Sequence, residues 1–126
     1  MNNLLSIDYG ERYVGCALRT SKSKVPFPLT IIDSKADDLS KELETVVKEY
    51  CIDLIIVGYP IGLNMSLNRM TSKVEDFIKS TLDNYSLPVI KIDERLTSNI
   101  YTNNKKERVD DLSALQILES YILQNE

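Results

Sequence analysis

An α/β fold built on a mixed five-stranded sheet is predicted by the order in which two hydrophobic periods follow one another along this chain. Three short extended segments come first, and helical and extended segments then alternate, giving the order β-β-β-α-β-α-β-α. Strands separated by helices imply parallel neighbours, whereas the closely spaced opening strands form an antiparallel hairpin meander. The sheet is therefore mixed, with helices flanking it. The 126 residues suffice for one such domain, and no repeat, low-complexity tract or long linker divides them. Residues 1–126 are read as a single domain.

Each element has its own signal. Leu4-Leu5-Ser6-Ile7-Asp8 is a short apolar run ending at an acid. The turn Tyr9-Gly10-Glu11-Arg12 leads from it into a second strand over residues 13–18, which predicts a hairpin. Pro26 and Pro28 fall in a third extended segment reaching Ile32, and proline places that segment at a sheet edge or a strand start. Leu39, Leu43, Val46, Val47 and Tyr50 recur at helical spacing within residues 37–50. Leu54-Ile55-Ile56-Val57 reads as a strand buried on both faces. It ends in a predicted loop, Gly58-Tyr59-Pro60-Ile61-Gly62, whose glycines permit unusual backbone angles. Val74, Phe77, Ile78 and Leu82 predict a helix over residues 66–84, and residues 88–92 the next strand. Residues 97–104 read as a short segment, helical at its start. Leu112, Leu115, Ile117, Leu118, Tyr121 and Ile122 give a C-terminal helix a wide apolar face.

Composition removes several classes of chemistry. Histidine is absent, which excludes Cys/His zinc sites, Ser-His-Asp triads and histidine general bases. Catalysis would fall to carboxylates, Lys, Tyr, hydroxyls or a bound metal. Cys16 and Cys51 lie in apolar sequence and are read as buried thiols rather than a disulfide. The apolar runs are far too short to span a bilayer, and Met1-Asn2-Asn3 opens no basic-then-apolar leader. A cytoplasmic protein without membrane attachment is expected.

A net charge of −4 argues at first against nucleic acid as a partner. Its distribution matters more. Acids are frequent in residues 33–49 and 75–83, whereas Arg95, Lys105, Lys106 and Arg108 cluster near the acids considered next. A basic rim beside an acidic centre suits a phosphate backbone that bridges to metal. The plain alternative for Lys105-Lys106-Glu107-Arg108 is a solvated loop.

Three acids stand at the ends of apolar runs: Asp8 closes the first strand, Glu94 follows Ile92-Asp93, and Asp110 opens the last helix. Ligand sites of open α/β sheets lie where strands leave the sheet. Carboxylates gathered there repel one another unless a hard divalent cation joins them. Each acid also has a plain structural role. Asp8 beside Gly10 suits a turn, Asp93-Glu94-Arg95 a charged strand end, and Asp110 a helix cap. Taken together they predict metal-assisted phosphodiester chemistry. One cation would strengthen water as a nucleophile, and a second, roughly 3.5–4 Å away, would stabilise the departing 3′ oxygen. Mg²⁺ suits such an all-oxygen set.

Ser6-Ile7-Asp8-Tyr9-Gly10-Glu11-Arg12-Tyr13-Val14-Gly15 resembles the opening motif of the YqgF family, also called RuvX-like or Holliday-junction-resolvase-like. Val57-Gly58-Tyr59-Pro60 is similar to its middle strand and loop, Asp93-Glu94-Arg95-Leu96-Thr97-Ser98 to its third motif, and Arg108-Val109-Asp110-Asp111-Leu112-Ser113-Ala114 to its fourth. The motifs stand in the family's order and cover nearly the whole chain. The resemblance implies a ribonuclease-H-like fold and a nuclease of the bacterial cytoplasm, dependent on Mg²⁺ or Mn²⁺. It also implies a role in maturing the 5′ end of pre-16S ribosomal RNA, with Holliday-junction resolution as the family's other association. Asp8, Glu94 and Asp110 match its metal-binding acids, and the adjacent Asp93 and Asp111 are the alternatives. Arg12 and Arg95 match basic positions that hold substrate phosphate, and Lys106 and Arg108 belong to the same basic rim.

The chain departs from the family in two places. Residues 61–69 lack the compact Asn-x-Asp-Gly-Ser pattern, and residues 97–108 are short. Three readings follow: an RNA-processing nuclease, a resolvase of four-way DNA, and a non-catalytic module that binds nucleic acid or a ribosome-assembly partner. A resolvase would work as a dimer, since two symmetric nicks require two sites; otherwise a monomer or weak homodimer is expected. Actin-like and sugar-kinase-like ATP-binding domains also place Asp-x-Gly before a hairpin, but this chain is too short for their paired domains.

Overall fold

Leu4–Asp8 forms the central strand, β1, of a five-stranded sheet. The structure, a computed structural model, describes residues 2–59, 69–93 and 110–126. After β1 come β2 (Tyr13–Arg19), β3 (Phe27–Asp33), helix α1 (Leu39–Glu49), β4 (Leu54–Tyr59), α2 (Arg69–Ser80), β5 (Val89–Asp93) and α3 (Asp110–Asn125). The sheet order is β3-β2-β1-β4-β5. β1 pairs antiparallel with β2 and β2 with β3, whereas β1–β4 and β4–β5 are parallel, as the two spacings in the sequence require. β3 is an edge strand, as its prolines demand. A register shift opposite Cys16 and Ala17 leaves Leu29 unpaired beside Pro28.

The period of two in β1 sends its side chains into two cores. Leu5 and Ile7 face α1 and α2 and join Val14, Leu18, Leu43, Ile55, Val57, Val74 and Phe77. Leu4 faces α3 and joins Ala17, Leu54, Ile56, Ile92, Ala114, Ile117 and Leu118. Leu43, from α1, is fully buried, so truncating it to Ala would cost about 3 kcal/mol through lost transfer energy and the cavity left behind.

α1 starts because the Asp38 carboxylate accepts the Lys41 N–H at 3.2 Å, satisfying a donor at the helix start. Its C-terminal end is pinned to the start of β1. The Asn3 side-chain amide donates to the carbonyls of Tyr50 and Cys51 at 3.0 and 3.1 Å. α3 is fixed to one face of the sheet at both ends. Near its start the Ser6 hydroxyl donates to the Ala114 carbonyl at 2.6 Å, with both groups buried. Past its end the Arg19 guanidinium, only 2% exposed, donates to Glu126 at 2.5 and 3.2 Å and to the Asn2 carbonyl at 2.8 Å. Since Arg19 pairs with Leu4 at the amino end of β1, α3 runs back across the sheet, antiparallel to β1. No helix among the described residues is long and apolar enough to cross a membrane.

Three expectations are corrected. Gly58 and Tyr59 are not loop residues: parallel pairing carries β4 on through Gly58↔Ile92 and Tyr59↔Asp93. No described glycine has positive φ. The predicted helix over residues 66–84 breaks after Ser80, where a 3₁₀ turn (Leu82–Tyr85) follows and Ser86 takes φ 56. Leu82 keeps the helical spacing yet is buried from the 3₁₀ turn, so the period alone could not show the break. Cys51 is exposed rather than buried, because it takes the left-handed turn (φ 50) that ends α1. The predicted features at residues 60–62, 66–68 and 97–104 lie outside the described residues.

Candidate active site

Parallel pairing brings the carboxyl ends of β1, β4 and β5 to one edge of the sheet. Asp8 is the last residue of β1 and half-buried. Ile7 lies opposite Val57, so the next step sets Asp8 level with Gly58 on the neighbouring strand. With strands roughly 4.8 Å apart, the glycine adds no side chain of its own beside the carboxylate. Asp8 alternates with Ser6 and Leu4 and so stands on the face that α3 covers. α3 begins at this same edge, and its first residue, Asp110, lies one turn before Ala114, the partner of Ser6.

β5 separates the candidate acids by face. Ile92 packs under α3, whereas Lys91 faces the other way, toward α2. Its ammonium donates to Glu75 at 2.9 Å and sits 4.8 Å from the centre of the Tyr59 ring, while the Tyr59 hydroxyl donates to the same carboxylate oxygen at 2.6 Å. The hydrogen bond from Tyr59, then that from Lys91, holds the Glu75 carboxyl below its ordinary range. The Tyr59 phenol is raised, since ionising it would break its bond to Glu75. Asp93, two residues after Lys91, shares that α2-facing side, opposite Asp8. Glu94, Arg95, Lys106 and Arg108 lie outside the described residues, as do the side chains of Asp110 and Asp111. Among the described residues no group of three or more acidic, cysteine or histidine side chains is gathered for a metal.

The hairpin tip after Asp8 is clamped on two sides. Arg12 forms a two-pronged pair with Asp33 of β3, Nε to Oδ1 and Nη2 to Oδ2 at 3.1 Å each, with its guanidinium 4.9 Å from the Tyr13 ring centre. The bond to Arg12, and then the N–H of Lys35, lowers the Asp33 carboxyl; the same pairing raises Arg12. On the other side Lys73 of α2 pairs with Glu11 at 3.1 Å. At Gly10 the backbone folds so closely that a Cβ would lie 2.5 Å from the Tyr13 carbonyl oxygen. Asp33, Lys73 and Ser6 were not singled out from sequence. The first two act on residues distant in the chain and leave no local signal. Ser6 had one, as the lone hydroxyl inside an apolar strand.

A mixed sheet whose central strand ends in a carboxylate, with the first three strands in a meander and a helix starting beside that acid, defines the ribonuclease-H-like fold. Two solved structures share it. Thermus thermophilus RuvC in complex with a Holliday junction matches with a TM-score of 0.67 at 12% identity, covering 99% of this chain and 97% of that one. The fowlpox virus Holliday junction resolvase matches with a TM-score of 0.57 at 19% identity, covering 97% and 99%. The sequence profile of the RuvX family, described as Holliday junction resolvase, matches residues 2–124, and the chain belongs to that family. A relative from Ruminiclostridium cellulolyticum is 35% identical, covering 94% of this chain and 92% of its own length. One from Haemophilus ducreyi is 32% identical, covering 97% and 96%. Both carry the name of a candidate pre-16S rRNA nuclease.

Proposed function

We propose that this chain is a metal-dependent endonuclease of the cytoplasm that trims the 5′ end of pre-16S ribosomal RNA, with residues 1–126 acting as one domain. The observation that carries this reading is the meeting of Asp8, on the rigid central strand, with the start of α3 at one edge and on one face of the sheet. Relatives named for pre-16S rRNA supply the substrate.

In this reading Asp8, Glu94 and Asp110 would hold Mg²⁺ or Mn²⁺. The donor set fits: it offers oxygens alone, and Gly58 adds no side chain of its own beside Asp8. When bound, such ions polarise the scissile phosphate and stabilise charge on the attacking and leaving oxygens. The protein's part is positioning. β1 and the Ser6–Ala114 bond set the spacing between Asp8 and the start of α3. Asp33 engages two of the five N–H donors of Arg12, leaving the others to meet a phosphate oxygen at the hairpin tip. Arg95, Lys106 and Arg108 extend that contact along the backbone. The products carry 5′ phosphate and 3′ hydroxyl ends.

The family's description favours a second reading, resolution of four-way DNA junctions by a homodimer. Cleavage of pre-16S rRNA, single-stranded RNA and a four-way DNA junction, each with Mg²⁺, Mn²⁺ or chelator, separates the two. The expected result is cleavage of the pre-rRNA that Asp8→Asn and chelator both abolish. Full activity in Asp8→Asn sinks the metal mechanism, and cleavage of the junction alone transfers the assignment to the resolvase.

A further inference from the structure

Tyr9 follows Asp8 but leaves β1 on the opposite face, where its ring stacks on Phe77 of α2 with centroids 4.5 Å apart and planes 25° from parallel. The two rings floor a groove of about 290 Å³ between the start of α1 and α2. Phe77 is buried, whereas Tyr9 stays partly exposed, and its hydroxyl has no hydrogen-bond partner among the described residues. Leu39, the first residue of α1, forms the apolar wall. Lys73, Asp76 and Ser80 recur along α2 at helical spacing and supply the polar rim, which Thr81 completes.

We infer that this groove is a subsite for one unpaired nucleobase of the RNA strand, stacked against Tyr9 while the adjoining backbone runs over the hairpin tip to the Asp8 edge. This rests on the nucleic-acid substrate proposed above and adds a strand preference to it. The rim's charge decides for a base over a phosphate: Lys73 is already paired with Glu11, and Asp76 repels anions. A flat, uncharged ring gains dispersion and apolar burial on an aromatic floor, and stacking of this kind tolerates any base. Asp76 and the hydroxyls of Tyr9, Ser80 and Thr81 offer hydrogen bonds to its edge. The groove lies on the face opposite Asp8, so a base reaches it only by turning out of a helix. A single strand can do so; a fully paired duplex cannot without unpairing.

The test uses the full chain in chelator, which keeps binding separate from cleavage. Binding of a short single-stranded RNA carrying 5-iodouridine is measured by anisotropy, and the photo-crosslinked residue is mapped. Crosslinks should map to Tyr9 or Phe77. Tyr9→Ala should weaken binding about tenfold, or about 1.4 kcal/mol, and Tyr9→Phe should keep most of it. Ser80→Trp, which fills the groove from its exposed rim, should reproduce the loss with an unchanged melting temperature, guarding against misfolding of Tyr9→Ala. Duplex RNA should bind all four proteins equally. The subsite is overturned if wild type does not bind the single strand, if crosslinks map elsewhere, or if Ser80→Trp binds within twofold of wild type. Absence of cleavage with metal would sink the nuclease reading while these binding results stood.

Discussion

The Ser6 hydroxyl and the Ala114 carbonyl form a buried 2.6 Å hydrogen bond that links the central strand to the last helix. Ser6 lies two residues before Asp8, and Ala114 four residues after Asp110. The two acid-bearing segments are therefore tied to each other directly across one face of the sheet.

Ser6→Ala should cost about 1 kcal/mol in urea unfolding, the net value of one neutral hydrogen bond. Its effect on metal binding should be larger in proportion. If Asp8 and Asp110 share a cation, Mn²⁺ affinity measured calorimetrically should fall several-fold in a protein that remains folded. Unchanged Mn²⁺ affinity would show that α3 is placed without this bond.

Gly10→Ala should destabilise the hairpin tip. The new methyl carbon would meet the Tyr13 carbonyl oxygen at 2.5 Å, and a backbone oxygen cannot rotate away as a side chain could. A loss of about 1–3 kcal/mol is expected, in the range of strain-creating substitutions. The tip would have to shift, so RNA cleavage should fall with stability. Thermal melts alongside cleavage rates check both, and an unchanged melting temperature contradicts the close approach.

Acid should loosen the far end of α3. The hydrogen bond from Arg19 holds the Glu126 carboxyl below its ordinary value, so the folded protein takes up this proton less readily than the unfolded chain. The stabilisation is complete above the unfolded glutamate value, about 4.3, and is lost as pH falls through the lower folded value. Glu126→Gln should therefore lower the melting temperature at pH 6 and flatten its decline below about pH 4.3. Parallel curves for the two proteins would remove Glu126 from the account.

The cysteines should differ in reactivity. Burial pushes the Cys16 thiol up to about 12, whereas Cys51 is exposed. Since the thiolate is the reactive form, native protein at pH 8 should show one fast thiol toward a chromogenic disulfide and release the second only on denaturation. Cys51→Ser should abolish the fast phase. Two fast thiols would mean that the β2 face opens readily.

Features that depend on near neighbours are legible in the sequence alone. The doubly apolar run at Leu54–Val57, the stripe through Leu39 and Leu43, and Pro28 at an edge all report local burial or local hydrogen bonding. Asp8 was legible for the same reason, as an acid ending an apolar strand. What escaped depends on partners far along the chain. Gly58 and Tyr59 look like a loop until pairing with Ile92 and Asp93 extends β4. Arg12 reads as free to meet a phosphate, and its bond to Asp33, 21 residues away, appears only in three dimensions. The strand period sets Asp93 opposite Ile92, but that Ile92 shares the face of Asp8 appears only from its packing under α3.

The sheet order also has a consequence for how the chain is made. β1 meets β2 through a short turn, but its other neighbour is paired Leu4↔Leu54, 50 residues further on. During synthesis the opening meander emerges first, with the bare backbone edge of Leu4-Leu5-Ser6-Ile7 waiting for β4. Closing that long loop is the slow event that local hairpins do not face. Pulse-labelled hydrogen exchange should protect amides of residues 13–33 before those of residues 54–59. The nascent chain is thus most vulnerable to self-association while the strand that ends in Asp8 has only one neighbour.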